Sequence, residues 1–312
     1  GGYEAEAHAQ EKLNRFYQSF ATLLNCHPGE IAFVESATRA WDMVFYAIPF
    51  KSGDRILTTQ SEYASNYLAF LQVAKQKDLK INVVPNDASG QISTDALEEM
   101  IDEDVKLIAI THVPTQGGLI NPAETVGQIA RRHNILYLLD ACQSVGQMPI
   151  DVRKIKCDML SGTGRKYLRG PGGTGFLFIR RSLIEQVEPP FIDLHAAKWI
   201  DKDRFEIRND ARRFENWESY VAGRIGLATA VDYALDIGLD AIQKRVQYLA
   251  ALLRTRLSEV TGVVVRDLGQ HRCGIVTFTK ENESASALKQ RLASHQINIS
   301  VSPARYARLD LD

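Results

Sequence analysis

Short apolar runs alternate with amphipathic stretches along most of the chain. Runs at residues 30–34, 55–59, 80–85, 107–112, 135–140, 158–161 and 175–180 read as strands. They are apolar on both faces, as expected of a sheet covered by helices on each side. Between them, the patterns around 39–47, 65–75, 94–100 and 122–132 place apolar residues at helical spacing. Residues 4–24 add an amphipathic helix ahead of the first strand. Such alternation predicts an α/β fold around a mainly parallel seven-stranded sheet. From about Tyr220 the pattern changes: long helical stretches (221–235, 239–259) precede short strands (263–267, 274–279) and a helix at 285–295. This predicts a large domain over 1–220 and a smaller α+β domain over 221–312. Both read as trimmed, because the chain opens on Gly1 and stops at Asp312 with no terminating helix.

Composition narrows the function classes. The 312 residues are 45% hydrophobic and 24% charged, which suits a globular chain and excludes a disordered or fibrous one. Lys and Arg number 37 against 38 Asp and Glu, so nothing general draws the chain to nucleic acid or to an anionic membrane. No apolar run nears the roughly 20 residues that span a bilayer, and no secretory signal is present. Four scattered cysteines without a CxxC pair suit a reducing, cytoplasmic setting. The seven histidines form no metal-ligating cluster, so no metal site is expected.

Candidate chemistry collects at the carboxyl ends of the predicted strands, where open α/β sheets bind ligands. Asp140-Ala141-Cys142-Gln143 follows one strand and Gly162-Thr163-Gly164-Arg165-Lys166 another. Ser36-Ala37-Thr38 opens a helix after a third, and Ser61-Glu62-Tyr63 follows a fourth. Each has a plain alternative: an Asp or Thr that caps a helix, a solvated Lys, a packing Tyr. Together they match the needs of pyridoxal 5'-phosphate: a lysine for a Schiff base, an acid for the ring nitrogen, an aromatic for the ring face and a donor-rich phosphate cradle. Gly170-Pro171-Gly172-Gly173-Thr174-Gly175 matches GxGxxG in letters, but a strand pattern follows it, not a helix, which argues against dinucleotide binding.

The segment from Asp140 through Gln143 to Asp151 resembles the Asp-x-x-Gln segment of class V aminotransferases. The segment from Thr163 through Lys166 to Gly175 resembles that family's Schiff-base segment, and residues 110–122 resemble the strand and loop that precede them. The resemblance implies the fold type I architecture, pyridoxal phosphate, an amino-acid substrate and a homodimer with active sites at the interface. By position it implies that Lys166 forms the Schiff base and moves the Cα proton. Asp140 would pair with the ring nitrogen and Gln143 with the phenolic oxygen, with Tyr63 stacked on the ring. Ala37, Thr38, Thr163 and Arg165 would hold the phosphate, and Thr115 would face the substrate. Arg212-Arg213-Phe214-Glu215-Asn216-Trp217-Glu218 reads by composition as a solvated charge run around a buried Trp; in the family a threonine that reaches the partner's phosphate stands at the place of Glu218.

The family's desulfurases carry a cysteine in a small-domain loop, and residues 297–308 hold none. Persulfide-forming desulfuration is therefore not expected, and Cys273 reads as a core residue. β-Elimination on a cysteine-type substrate is the leading expectation, with transamination or epimerisation as alternatives. A catalytically incomplete chain of the same fold is the non-enzyme alternative.

Overall fold

The computed structural model describes residues 2–311. Helix α1 (Gly2–Leu24) leads into β1 (Ile31–Val34), α2 (Ala37–Phe45), β2 (Arg55–Thr59), α3 (Ala64–Lys77), β3 (Lys80–Val84) and α4 (Thr94–Glu99). There follow β4 (Val105–Thr111), α5 (Ala123–Arg132), β5 (Leu136–Asp140), α6 (Val152–Ile155), β6 (Met159–Thr163), β7 (Gly175–Ile179) and α7 (Arg181–Ile184). Next come the hairpin strands β8 (Ala197–Asp201) and β9 (Arg204–Ile207), then the helices α8 (Val221–Ile237) and α9 (Leu239–Ser258). The short strands β10 (Val263–Val265) and β11 (Phe278–Lys280) and the helices α10 (Ala285–Ser294) and α11 (Arg308–Leu311) complete the chain.

The first seven strands form one sheet in the order β1-β7-β6-β5-β4-β2-β3. β2 through β6 are mutually parallel, whereas β7 runs antiparallel to both of its neighbours, β6 and β1. Two reversals restore direction, so β1 points the same way as β6 and its carboxyl end reaches the same rim. That reversal brings the start of α2 to the ends of β5 and β6, far away in sequence.

Two-sided burial holds the sheet together. Along β4, Ile108 and Ile110 belong to one core and Leu107 and Ala109 to the other, all fully buried. The first core packs α1, α4, α5, α6 and α8 on one face, and the second packs α2, α3 and α7 on the other. The expected α/β class and all seven expected strands are present, each bounded within two residues of its predicted ends.

Two features differ from expectation. The β8–β9 hairpin was not foreseen, because its strands are largely exposed and carry no apolar run. The 212–218 stretch is inverted relative to a solvated run around a buried Trp: Arg213 and Glu215 are buried and Trp217 is 56% exposed. The Glu215 carboxylate accepts from Tyr17 Oη, from the Phe33 N–H (2.8 Å) and from His195 Nε2 (3.0 Å), and so fastens α1 to β1. The Arg213 guanidinium donates to the carbonyl oxygens of Ile184, Val187 and Arg208. Polar residues with partners this remote in sequence cannot be told from surface charges by composition.

Candidate active site

A cleft with a cavity volume of about 80 Å³ opens at the carboxyl rim of the sheet. All nine residues singled out from sequence line it: Ala37, Thr38, Tyr63, Thr115, Asp140, Gln143, Thr163, Arg165 and Lys166. Ser36, Asn66, Thr111, Val113 and Cys142 complete the wall.

The strand ends deliver them. Thr111 closes β4, Asp140 closes β5, Thr163 closes β6, and Ser36 follows β1. The helix start after β1 is capped by Ser36, whose hydroxyl accepts from the Arg39 N–H, so Thr38 is not the cap. Ala37 and Thr38 are first-turn residues whose N–H groups have no partner within the helix, an arrangement suited to an anion. Gly175 makes this approach possible: a Cβ there would lie 2.7 Å from the Ser36 carbonyl carbon. Its register partners are Val34 and Thr163, so it sits between the two strands that bring the cradle and the lysine loop together. Gly146, at φ +92°, lets its turn press against the backbone of Tyr167 and Leu168, directly after the lysine.

Asp140 is buried at 5% exposure, and among the described residues no basic side chain lies within ion-pair distance of it. Burial pushes its carboxyl up, while hydrogen bonds from Asn66 Nδ2 (2.9 Å) and the Cys142 N–H (2.8 Å) and the charge of Lys166 pull it down. A buried carboxylate without a cation is costly, and a ligand carrying a protonated ring nitrogen would supply one. The donor set therefore fits pyridoxal phosphate: the start of α2, Thr163 and Arg165 for the phosphate, Asp140 for the ring nitrogen, Tyr63 beside the ring and Lys166 for the carbonyl carbon. Burial pushes the Cys142 thiol up to about 12, so it stays protonated at neutral pH.

Sequence reasoning passed over Glu62 and Asn66. Glu62 was visible only as the residue before Tyr63, and Asn66 only as a polar residue in a helix. Their spacing of four, at the start of a helix that follows a strand, was the available signal.

The chain matches the profile described as aminotransferase class V over residues 1–303. A probable cysteine desulfurase of Halalkalibacterium halodurans is 34% identical over 90% of this chain, which spans 67% of that protein. The apo cysteine desulfurase of Thermococcus onnurineus superposes with a TM-score of 0.89 at 26% identity, over 97% of this chain and 76% of that one. The cystine C–S lyase C-DES, solved with its reaction product cysteine persulfide, shares the fold: TM-score 0.88 and 21% identity, over 96% of this chain and 81% of that one.

These likenesses correct one expectation. Persulfide-forming desulfuration was set aside for want of a cysteine in residues 297–308, yet the relatives are named cysteine desulfurases. The criterion tested a single stretch, placed by the weakest part of the resemblance. In the structure that stretch contains a short 3-10 turn (Ala304–Tyr306) packed against α3. The absence of a thiol there does not decide the reaction. Sequence profile, fold and donor set agree: the chain belongs to the class V aminotransferase family of pyridoxal-phosphate enzymes.

Proposed function

We propose that this chain cleaves the carbon–sulfur bond of cysteine or a close cysteine derivative, using pyridoxal phosphate. The observation that carries the reading is the meeting of Lys166, Asp140 and Tyr63 in one cleft, in a chain whose relatives are named cysteine desulfurases. When bound, the cofactor supplies an electron sink for negative charge developed at the substrate Cα. Lys166 Nζ takes the Cα proton, a positioned general base. Asp140 holds a proton on the ring nitrogen, and Gln143 hydrogen-bonds the phenolic oxygen. Ala37, Thr38, Thr163 and Arg165 hold the phosphate at the start of α2, and Thr115 faces the substrate.

Desulfuration, in which the sulfur passes to an acceptor thiol as a persulfide and alanine is left, is the reading that the named relatives favour. β-Elimination, leaving pyruvate, is the second. The presence of Tyr63 in the cleft supports it, since its hydroxyl could donate a proton to the departing sulfur. The test is product analysis of the pyridoxal-phosphate-loaded protein given cysteine and, separately, cystine. Alanine or pyruvate with released sulfur supports the proposal. Turnover that yields only keto acids that keep their sulfur, or only the opposite enantiomer, overturns it in favour of transamination or epimerisation. Tyr63→Phe should lower product release tenfold or more if the hydroxyl is the acid; unchanged turnover sinks that role.

The working unit is proposed to be a homodimer. Support comes from exposed apolar side chains, among them Trp199 and Phe205, paired across the β8–β9 hairpin, and Leu194, Trp217 and Tyr220. Among the described residues no helix is long and apolar enough to cross a membrane. Four free cysteines and near-neutral charge support a cytoplasmic setting without a nucleic-acid partner.

A further inference from the structure

Glu62 is the most buried carboxyl of the rim that the proposed chemistry leaves unused. It is 2% exposed, and among the described residues it has no ion-pair partner. Four donors converge on it. Oε1 accepts from the N–H of Tyr63 (2.9 Å), from Asn66 Nδ2 (2.9 Å) and from Thr111 Oγ1 (2.5 Å). Oε2 accepts from Thr58 Oγ1 (3.1 Å). Thr58 lies in β2, Thr111 at the end of β4, and Tyr63 and Asn66 at the start of α3. A single carboxylate thus ties together two neighbouring strand ends and the helix that crosses them.

The same contacts reach the cofactor site. The Asn66 Nδ2 that donates to Glu62 also donates to Asp140 Oδ2, again at 2.9 Å. An amide nitrogen has two hydrogens, and here each goes to a different carboxylate. When ionised, both partners are acceptors only, so the amide cannot then turn over without setting its oxygen against a carboxylate oxygen. Asn66 can therefore face Asp140 in one way, and Glu62 enforces it. Through the N–H of Tyr63, Glu62 also fixes the backbone that carries the aromatic beside the ring.

We propose that Glu62 is a positioning residue that sets, in one contact network, both the orientation of Asp140 and the placement of Tyr63. The proposal rests on the reading of Asp140 and Tyr63 as cofactor-facing residues. Burial pushes the Glu62 carboxyl up to about 7, the bonds from Thr111, Asn66 and the Tyr63 N–H work against this, and the neighbouring Asp140 adds to it.

The test uses the full chain titrated with pyridoxal phosphate, reading the dissociation constant and the circular dichroism of the visible band per bound cofactor. Glu62→Ala should weaken binding tenfold or more and reduce the visible ellipticity per bound cofactor by at least half. Glu62→Gln, which keeps an acceptor of the same shape, should restore binding to within threefold. Asn66→Ala should reproduce the Glu62→Ala loss, and the double variant should be no worse than either, because the two act as a unit. Should Glu62→Ala fail to fold, Asn66→Ala decides alone. Folded variants with wild-type affinity and ellipticity overturn the proposal and leave the cofactor reading intact. A Gln variant as deficient as Ala overturns positioning in favour of charge. A wild-type chain that takes up no pyridoxal phosphate overturns the cofactor reading and the proposal together.

Discussion

At the scale of single residues, the cleft concentrates acids away from water, and this has a pH signature. Burial pushes Glu62 up to about 7, against 4.5 for an ordinary glutamate. Between those values the folded protein keeps a proton that the unfolded chain has shed. Stability from this group is therefore full below pH 4.5 and falls as the pH rises through 7. Asp140, across Asn66, pushes in the same direction, and no described cation opposes it with an ion pair. Glu62→Gln has no proton to lose. At matched cofactor load, the two proteins should unfold at similar temperatures at pH 5 and separate by pH 8, with the Gln variant ahead by on the order of 3 kcal/mol. A difference that stays constant across that range would refute the assignment. The residues that line the cleft were legible because of their types and places: a lysine, an acid, an aromatic and hydroxyls, each just after a strand. Glu62 and Asn66 were not. A polar side chain in a helix's first turn looks the same in sequence whether it faces water or a buried carboxylate.

At the scale of elements, the site depends on how closely the start of α2 approaches the end of β6. Gly175 stands in the gap. Adding a methyl group there would place it 2.7 Å from the Ser36 backbone, so α2 must move off the rim. Gly175→Ala should cost about 1–3 kcal/mol of stability and weaken phosphate and cofactor binding tenfold or more. Gly172→Ala, where a methyl group meets nothing within 4 Å, is the matched control and should bind as wild type. Equal affinities in the two variants would show that the approach does not matter. Strands were the most readable elements, because apolar residues on both faces leave little else for β4 or β5 to be. The β8–β9 hairpin escaped notice because Lys198, Trp199, Glu206 and Phe205 give no consistent buried face; their surroundings are not set within the hairpin.

At the scale of the molecule, the exposed aromatic pair on the β8–β9 hairpin is the feature that bears on assembly. Trp199 is 70% exposed and Phe205 48%, and they face each other across the hairpin register. This exposed pair belongs to the surface proposed as the dimer interface. The double change Trp199→Glu with Phe205→Glu should shift the proposed dimer to monomer in light scattering without lowering the unfolding temperature of the monomer. A double variant that stays dimeric would remove the hairpin from the interface. The division at residues 220 and 221 remains a proposal about chain organisation. Helix α8 packs along α1, and Leu227 and Val231 share the core with Phe16 and Phe20. A fragment ending at 220 would expose that face, so the two parts are expected to fold as partners.

The reversal at β7 also governs timing. Ile31 pairs with Phe178, so the first strand of the sheet has no neighbour until 147 further residues have been made. At ribosomal speeds of about 5–20 residues per second, that is a wait of roughly 7–30 s. During this interval the middle strands can already associate, because each follows closely on the last. The acid at the end of β5 can thus be in place before β1 pairs, while the start of α2, carried with β1, joins the rim last. A nascent chain would reach the ability to hold its cofactor in a single late step, when β1 finds β7.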